Sequence, residues 1–350
     1  MTSGKEPLLQ VRGLVQEFVV RDYGGVKGGV VHAVSGVSFN VWPGETLGIV
    51  GETGSGKSTL ARSVLQAPRP KEGTVTFRGT DLTTLRGKNL LQARRHLQMV
   101  FQDPFSSLDP KWKVRDLVAE PLIAYRVGDR AARRHRVDQV LELVGLDPAA
   151  HGDRRPRELS GGQAQRVAIA RALAMEPAMI ICDEPVSSLD VLIQAQVLNL
   201  FERLRAELGL SYLFIAHDLA LVKQVSDRVA VMYLGKLCEV GPGEEVYRQP
   251  LHPYTKALLD SVPGAANAKA ATTIRGEPPS PVHPPSGCRF RTRCPRAAQR
   301  CADEEPVMRE LPTGHTAGHA AGHSVACHFP LVPAADSPAR SEEKIGEAPR

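Results

Sequence analysis

An α/β fold with a largely parallel sheet is predicted by three features of this sequence. Short apolar runs alternate with stretches of helical period, the pattern of parallel strands joined by helices. Two of these runs, 178–182 and 211–216, are almost continuously apolar, as expected of strands buried on both faces. A glycine-rich loop at 51–56 sits between an apolar strand and a helix, the arrangement that builds a phosphate cradle.

The elements follow in chain order. Residues 8–50 read as short β-runs with turns. Residues 37–41 alternate apolar and polar, Pro43 and Gly44 make a turn, and 46–50 is an apolar strand. After the glycine loop, 58–65 reads as a helix with Leu60, Ala61, Val64 and Leu65 on one face. Residues 115–147 read as helical, with Val137, Val140, Leu141 and Val144 at helical spacing and Gly145 as the stop. Residues 160–175 form another predicted helix. Beyond Pro263 the composition turns to Pro, Gly, Ala and His, and periodicity fades. A domain boundary is placed there, and the final stretch, 331–350, is expected to be disordered.

Bulk properties exclude some functions. Hydrophobic residues make up 42% of the 350, and no apolar run is long enough to span a bilayer. No apolar leader is visible at the start. The expectation is a cytoplasmic chain that reaches a membrane only through a partner. The formal net charge is +6, but aromatics are 5% and the basic residues are scattered. The densest basic cluster, 130–136, reads as a solvated helix face. Nucleic-acid binding, which wants a basic stripe with interleaved aromatics, is not indicated.

Gly51, Glu52, Thr53, Gly54, Ser55, Gly56, Lys57 and Ser58, followed by Thr59, fit the P-loop pattern. Its glycines let backbone N–H groups converge on phosphate oxygens at a helix N-terminus. Lys57 is expected to bridge β- and γ-phosphates, and the Ser58 hydroxyl to coordinate Mg²⁺. The apolar strand 179–182 ends in Asp183 and Glu184. Asp183 is placed to hold Mg²⁺ through water, and Glu184 to act as general base on the attacking water. His217 follows the strand 212–216, so Lys57, Asp183–Glu184 and His217 all sit at carboxyl ends of strands. Open α/β sheets bind ligands at that edge, and His217 is read as a γ-phosphate contact.

Leu159, Ser160, Gly161, Gly162 and Gln163 open the next helix, and Ser160 with Gln163 matches a capping box. Capping alone does not need two glycines in a helical first turn, where each costs about 1 kcal/mol against alanine. Close approach of a phosphate to the bare helix end does. The chain thus carries a second anion-binding element besides its P-loop.

The sequence LSGGQ at 159–163, with the P-loop and the Asp183–Glu184 strand, resembles the ATP-binding subunit of ABC transporters. The resemblance covers about residues 8–263. It implies a P-loop NTPase of ABC type with an N-terminal antiparallel β subdomain, a mostly parallel core sheet and an inserted helical subdomain at about 103–172. It also implies a head-to-tail pair in which Ser160 and Gly162 contact the γ-phosphate of the partner's nucleotide. Gln102 matches the Q-loop, which senses Mg²⁺ and the attacking water and borders the membrane-domain contact. Asp190, in Ser188-Leu189-Asp190, matches the D-loop at the dimer seam. Phe18 resembles the aromatic that stacks on adenine, with Tyr23 as the alternative. Ala164 and Cys182 depart from residues common in the wider family, at positions away from the chemistry. With every catalytic position intact, the resemblance implies ATP hydrolysis with Mg²⁺.

Residues 101–110, 183–191 and 252–255 resemble the peptide-transport branch, most of all the F-type ATPase subunit of oligopeptide and dipeptide importers. That implies a D-type ATPase as partner, two transmembrane permeases and an extracellular binding protein, at the cytoplasmic face of the membrane. Importers of nickel or oligosaccharides are alternative settings, as are a non-transport ABC ATPase or a regulatory module in which ATP is a structural ligand. Of the six cysteines, Cys182 and Cys238 read as core residues. Cys288, Cys294, Cys301 and Cys327 lie in a small C-terminal extension, 264–330. It resembles that of branch members holding a [4Fe–4S] cluster; zinc or free thiols are the alternatives. His315, His319 and His323 read as low-complexity sequence, with His323 and His328 as outside candidates for a ligand.

Overall fold

A computed structural model describes residues 6–20, 28–261, 276–311 and 322–331. Tyr23, His315 and His319 lie outside the described residues, as does nearly all of 331–350. Strands β1 (Leu9–Val20) and β2 (Gly29–Val41) open the chain. They are followed by β3 (Thr46–Val50), α1 (Lys57–Val64), β4 (Glu72–Phe77), β5 (Thr80–Asp81), α2 (Gly87–Arg94) and β6 (Leu97–Val100). Helices α3 (Pro104–Ser107), α4 (Val114–Ala124), α5 (Arg130–Leu143), α6 (Pro148–His151) and α7 (Gly161–Leu173) come next. The core resumes with β7 (Met179–Asp183), α8 (Val191–Leu208), β8 (Ser211–Ala216), α9 (Leu219–Val225), β9 (Arg228–Tyr233) and β10 (Lys236–Pro242). Then come α10 (Gly243–Arg248), α11 (Pro253–Asp260), α12 (Gln299–Asp303), β11 (Arg309–Leu311) and β12 (His323–Val325).

The core sheet has the order β11-β12-β10-β9-β3-β8-β7-β6. Pairing is parallel from β9 through β3, β8 and β7 to β6, and antiparallel from β9 through β10 and β12 to β11. A second sheet, β2-β1-β4-β5, is antiparallel throughout.

The continuous apolar runs are explained by burial on two sides. In β7, Met179 and Ile181 enter one core while Ile180 and Cys182 enter the other. In β8, Leu213 and Ile215 join the first, and Tyr212 and Phe214 the second. The first core lies against α1 and the antiparallel sheet, with Leu60, Ala61, Val64, Val11, Val37 and Val75. The second is closed by residues of α4, α5, α7 and α8, including Leu117, Val140, Val167 and Phe201.

Two sequence expectations need correction. The short β-runs of 8–50 are long strands: β1 has 12 residues and β2 has 13, and bulges interrupt their pairing. The single helix expected over 115–147 is two. Arg126 and Gly128 take φ of 56° and 63°, and the Asp129 carboxylate accepts the Ala132 N–H at 2.8 Å to start α5 afresh. A glycine followed by an aspartate is a stop and a start, which helical periodicity alone does not register.

Described residues beyond 276 pack on the core sheet. Strand β12 pairs with β10, and Glu239 of β10 meets His323 of β12 at 2.7 Å, both fully buried. Glu239 also accepts the N–H groups of Leu251 and His252, each at 2.8 Å. His323 is therefore engaged in a buried hydrogen bond with Glu239 rather than standing beside the thiols as a spare ligand. Among the described residues, no helix is long and apolar enough to cross a membrane.

Candidate active site

The P-loop leaves β3 and enters α1 at Gly56, which serves as N-cap with φ of 103°. A Cβ there would lie 2.0 Å from the Ala33 carbonyl oxygen, so only glycine permits this path. Lys57 is almost fully buried and donates to the Gly51 and Glu52 carbonyls at 2.7 and 3.0 Å. Burial lowers its pKa below the ordinary value against the pull of Glu184 and Asp183. The Ser55 hydroxyl is buried without a protein partner. An orphaned hydroxyl and an ammonium satisfied only by loop carbonyls suit a polyanion arriving at the loop.

The Ser58 hydroxyl donates to Asp183 Oδ1 at 2.6 Å, across 125 residues of sequence. Asp183 is 1% exposed, and burial raises its carboxyl pKa, the Ser58 hydrogen bond opposing. A hydroxyl and a desolvated carboxylate side by side fit a divalent cation, and these two residues would hold Mg²⁺. Bound there, it would neutralise phosphate charge.

Glu184 is the hub. Its φ is 47°, a left-handed conformation costly for a side-chain-bearing residue and typical of functional positions. Its N–H donates to the Ile215 carbonyl at 3.0 Å, which ties the turn to β8. The carboxylate Oε2 accepts from Gln102 Nε2 at 3.2 Å and lies 3.2 Å from His217 Nδ1. Its Oε1 lies 4.0 Å from Lys57 Nζ. Gln102, Asp183, Glu184 and His217 follow or end strands β6, β7 and β8, so the sheet edge brings all four to the P-loop.

Ser160 caps α7. Its hydroxyl accepts the Gln163 N–H at 3.3 Å, and its own N–H donates to Gln163 Oε1 at 3.0 Å, completing the box. Gly162 has a reason the sequence did not reveal: a Cβ there would meet Ile193 of α8 at 2.6 Å, while one at Gly161 would meet Leu189 at 3.2 Å. The helix start is thus packed against the turn holding Asp190, whose carboxylate accepts the Ile193 N–H at 3.0 Å and caps α8. Ser160 and Asp190 are exposed, and the neighbouring Val191 and Leu192 are 82% and 70% exposed. Phe18 is 39% exposed near the end of β1, its Cα opposite Val31 of β2. Thr53 and Gly54 are exposed, and Thr59 is half-buried on α1.

The tail thiols are free and gathered together: Cys327 feels the charge of Cys288, Cys294 and Cys301. Burial raises Cys288 and Cys294 and pushes Cys327 up to about 11. Among the described residues, however, no three His, Cys, Asp or Glu side chains stand ready to hold one metal ion. In this arrangement the thiols are not drawn around one ion, and no step of the reaction is routed through a metal there. Cys182 and Cys238 are buried core thiols. Sequence reasoning missed Arg293, which reaches the P-loop from this tail: its guanidinium holds the Glu52 carboxylate at 2.7 and 3.1 Å. Its only signal was its place between two cysteines.

Residues 34–187 match the family described as ABC transporter, and 238–301 match the oligopeptide/dipeptide transporter C-terminal region. The chain is 48% identical to YkfD of Bacillus subtilis, over 92% of this chain and 95% of that protein. It is 46% identical to the oligopeptide transport ATP-binding protein AppF of the same organism (93% and 98% covered). Identity to the oligopeptide transport ATP-binding protein OppF of Escherichia coli is also 46% (88% and 94%). Among solved structures, the dimeric ATP-binding cassette MJ0796 bound to ADP and Pi superposes with a TM-score of 0.59 at 28% identity. That match covers 67% of this chain and 98% of MJ0796. CbiO1 of Clostridium perfringens, part of a cbiONQ transporter complex, superposes with 0.60 at 30% identity (70% and 92% covered). The chain therefore belongs to the ATP-binding proteins of ABC transporters, in the oligopeptide transport branch, and is an ATPase.

Proposed function

We propose that this chain powers an ABC importer of oligopeptides or dipeptides from the cytoplasmic face of the membrane. It would work head to tail with a second, D-type ATPase beneath two permeases, with an extracellular binding protein delivering the cargo. The observation that carries the reading is the Glu184 carboxylate, held between Lys57, Gln102 and His217 at the mouth of a P-loop. The names of AppF and OppF support the cargo. A groove of about 310 Å³ bordered by Phe101, Glu120, Tyr125 and Arg171, next to Gln102, suits a permease contact.

In the reaction, ATP lies along the P-loop with Lys57 on its β- and γ-phosphates. Ser58 and Asp183 would hold Mg²⁺, which would neutralise phosphate charge, and Phe18 stacks on adenine. Glu184 accepts a proton from water as the water oxygen bonds the γ-phosphorus. The bond from that phosphorus to the β,γ-bridging oxygen breaks, and ADP leaves with the electron pair. Gln102 orients the water, and His217 donates to the γ-phosphate. This chain's Ser160–Gly162 helix start closes over the γ-phosphate held by the D-type partner, the partner's corresponding helix start closes over the phosphate held here, and Asp190 lies at the seam. Closure on ATP and release after hydrolysis transmit the stroke.

Glu184→Gln tests this. It should retain MgATP binding while turnover in the assembled transporter falls at least ~100-fold, the scale of a lost general base. Turnover at the wild-type rate would remove Glu184 as the base. The four tail cysteines are proposed as ligands of a [4Fe–4S] cluster, supported by their shared patch and requiring them to draw inward. Anaerobically purified protein should show sulfur-to-iron absorption lost in Cys294→Ser; a colourless, iron-free protein rejects the cluster.

A further inference from the structure

The P-loop of this chain contains an acid where its ligand is an anion. Glu52 is the second residue of the loop, and its charge is felt at Lys57. An unpaired carboxylate there would repel incoming phosphates. The structure answers this from more than 240 residues away: Arg293 grips the Glu52 carboxylate with both terminal nitrogens, at 2.7 and 3.1 Å. The Arg293 side chain is 6% exposed, and Nη1 also lies 3.3 Å from the Tyr233 hydroxyl. Its guanidinium sits over the Tyr233 ring at 5.7 Å.

The rest of Glu52 is fixed too. Its N–H donates to the Tyr254 hydroxyl at 2.9 Å, and its carbonyl accepts from Lys57 at 3.0 Å. Phe290 locks the segment in place, packing on Tyr233 at 5.2 Å and on Tyr254 at 5.3 Å. A second hold comes from Arg289, which donates to the Leu234 carbonyl and to Ser35 Oγ. The next residue, Gly235, donates its N–H to the Ser55 carbonyl at 2.8 Å. The 288–294 segment therefore reaches the P-loop at Glu52 directly and at Ser55 through one intermediary.

We propose that Arg293 is a positioning residue of the ATP site: it neutralises and orients Glu52, so that the C-terminal extension completes the phosphate cradle of its own chain. The proposal rests on the P-loop reading. A bidentate, nearly buried guanidinium–carboxylate pair is strong enough to set a loop. Its loss exposes a negative charge beside the phosphates in a site shielded from salt.

The test is MgATP affinity of the full-length chain at low ionic strength, with thermal melting on each variant. Arg293→Ala should weaken binding on the order of tenfold, within the range of couplings between linked groups. Arg293→Ala combined with Glu52→Gln should recover most of that loss, because the repelling charge is gone although the clamp is still missing. Arg293→Lys should fall between. In the assembled transporter, Arg293→Ala should raise KM for ATP more than it lowers kcat. Unchanged affinity in Arg293→Ala overturns the proposal. So does a loss that Glu52→Gln fails to repair, since that marks a purely structural role. Lys57→Ala checks the underlying reading separately: it should abolish MgATP binding with the clamp intact, and if it does not, the P-loop assignment itself is wrong.

Discussion

Asp183 and Glu184 are adjacent acids with different proposed tasks, and their surroundings separate them. Asp183 ends β7 inside the protein, bonded to Ser58. Glu184 turns out of the strand with a left-handed backbone and meets Gln102 and His217. The cost of burying Asp183 is borne in the ligand-free state. Its carboxyl pKa lies above the ordinary 3.8 because burial disfavours the charge. The folded chain thus holds this proton more tightly than the unfolded chain. The associated stability is fullest below the ordinary value and declines as pH rises through the folded-state value. Asp183→Asn should flatten that decline and stabilise the ligand-free protein at neutral pH by about 0.5–1 kcal/mol, a common gain when a functional group is removed. It should also abolish stabilisation by MgATP over ATP alone. Calorimetric melting across pH reads both effects; a variant less stable than wild type at neutral pH contradicts this view of Asp183.

At the scale of elements, α7 and α8 are joined where their first turns meet, through Gly162 against Ile193 and the Asp190 cap. The cap and the proposed seam can be separated, since Asn caps as well as Asp whereas Ala does not. Asp190→Ala should cost about 1 kcal/mol of stability and lower ATPase activity. Asp190→Asn should keep the melting temperature yet still lower the activity. Full activity in Asp190→Asn would reduce Asp190 to a cap. The same elements show what the sequence discloses. Strands β3 and β8 and the start of α1 were legible because short-range chemistry defines them: a two-sided apolar run, a glycine loop, a lysine. The capping box of α7 was legible for the same reason. The break at 125–129 is carried by the positive φ of Gly128 and the Asp129 cap, which apolar spacing does not register. The packing of Gly162 on Ile193 and the reach of Arg293 to Glu52 join residues 31 and 241 apart, and no local pattern encodes such pairs.

Across the whole molecule, one sheet serves both ends of the chain. The ends of the parallel strands gather Gln102, Asp183, Glu184 and His217 beside the P-loop, while β10 and β12 bind the C-terminal extension through the buried Glu239–His323 contact. The extension in turn holds the P-loop through Arg293. The P-loop is one of the molecule's two candidate phosphate contacts. Its other anion-binding helix start, at Ser160, is exposed and packed against α8 beside the exposed Val191 and Leu192. That exposure supports a site finished by a second ATPase. The most direct measurement is specific ATPase activity of the full-length chain with its partner ATPase, followed on dilution while the state of association is monitored by light scattering. Activity per chain should fall toward zero as pairs dissociate, with MgATP still bound. Activity per chain that holds constant in a strictly monomeric sample would contradict the shared site.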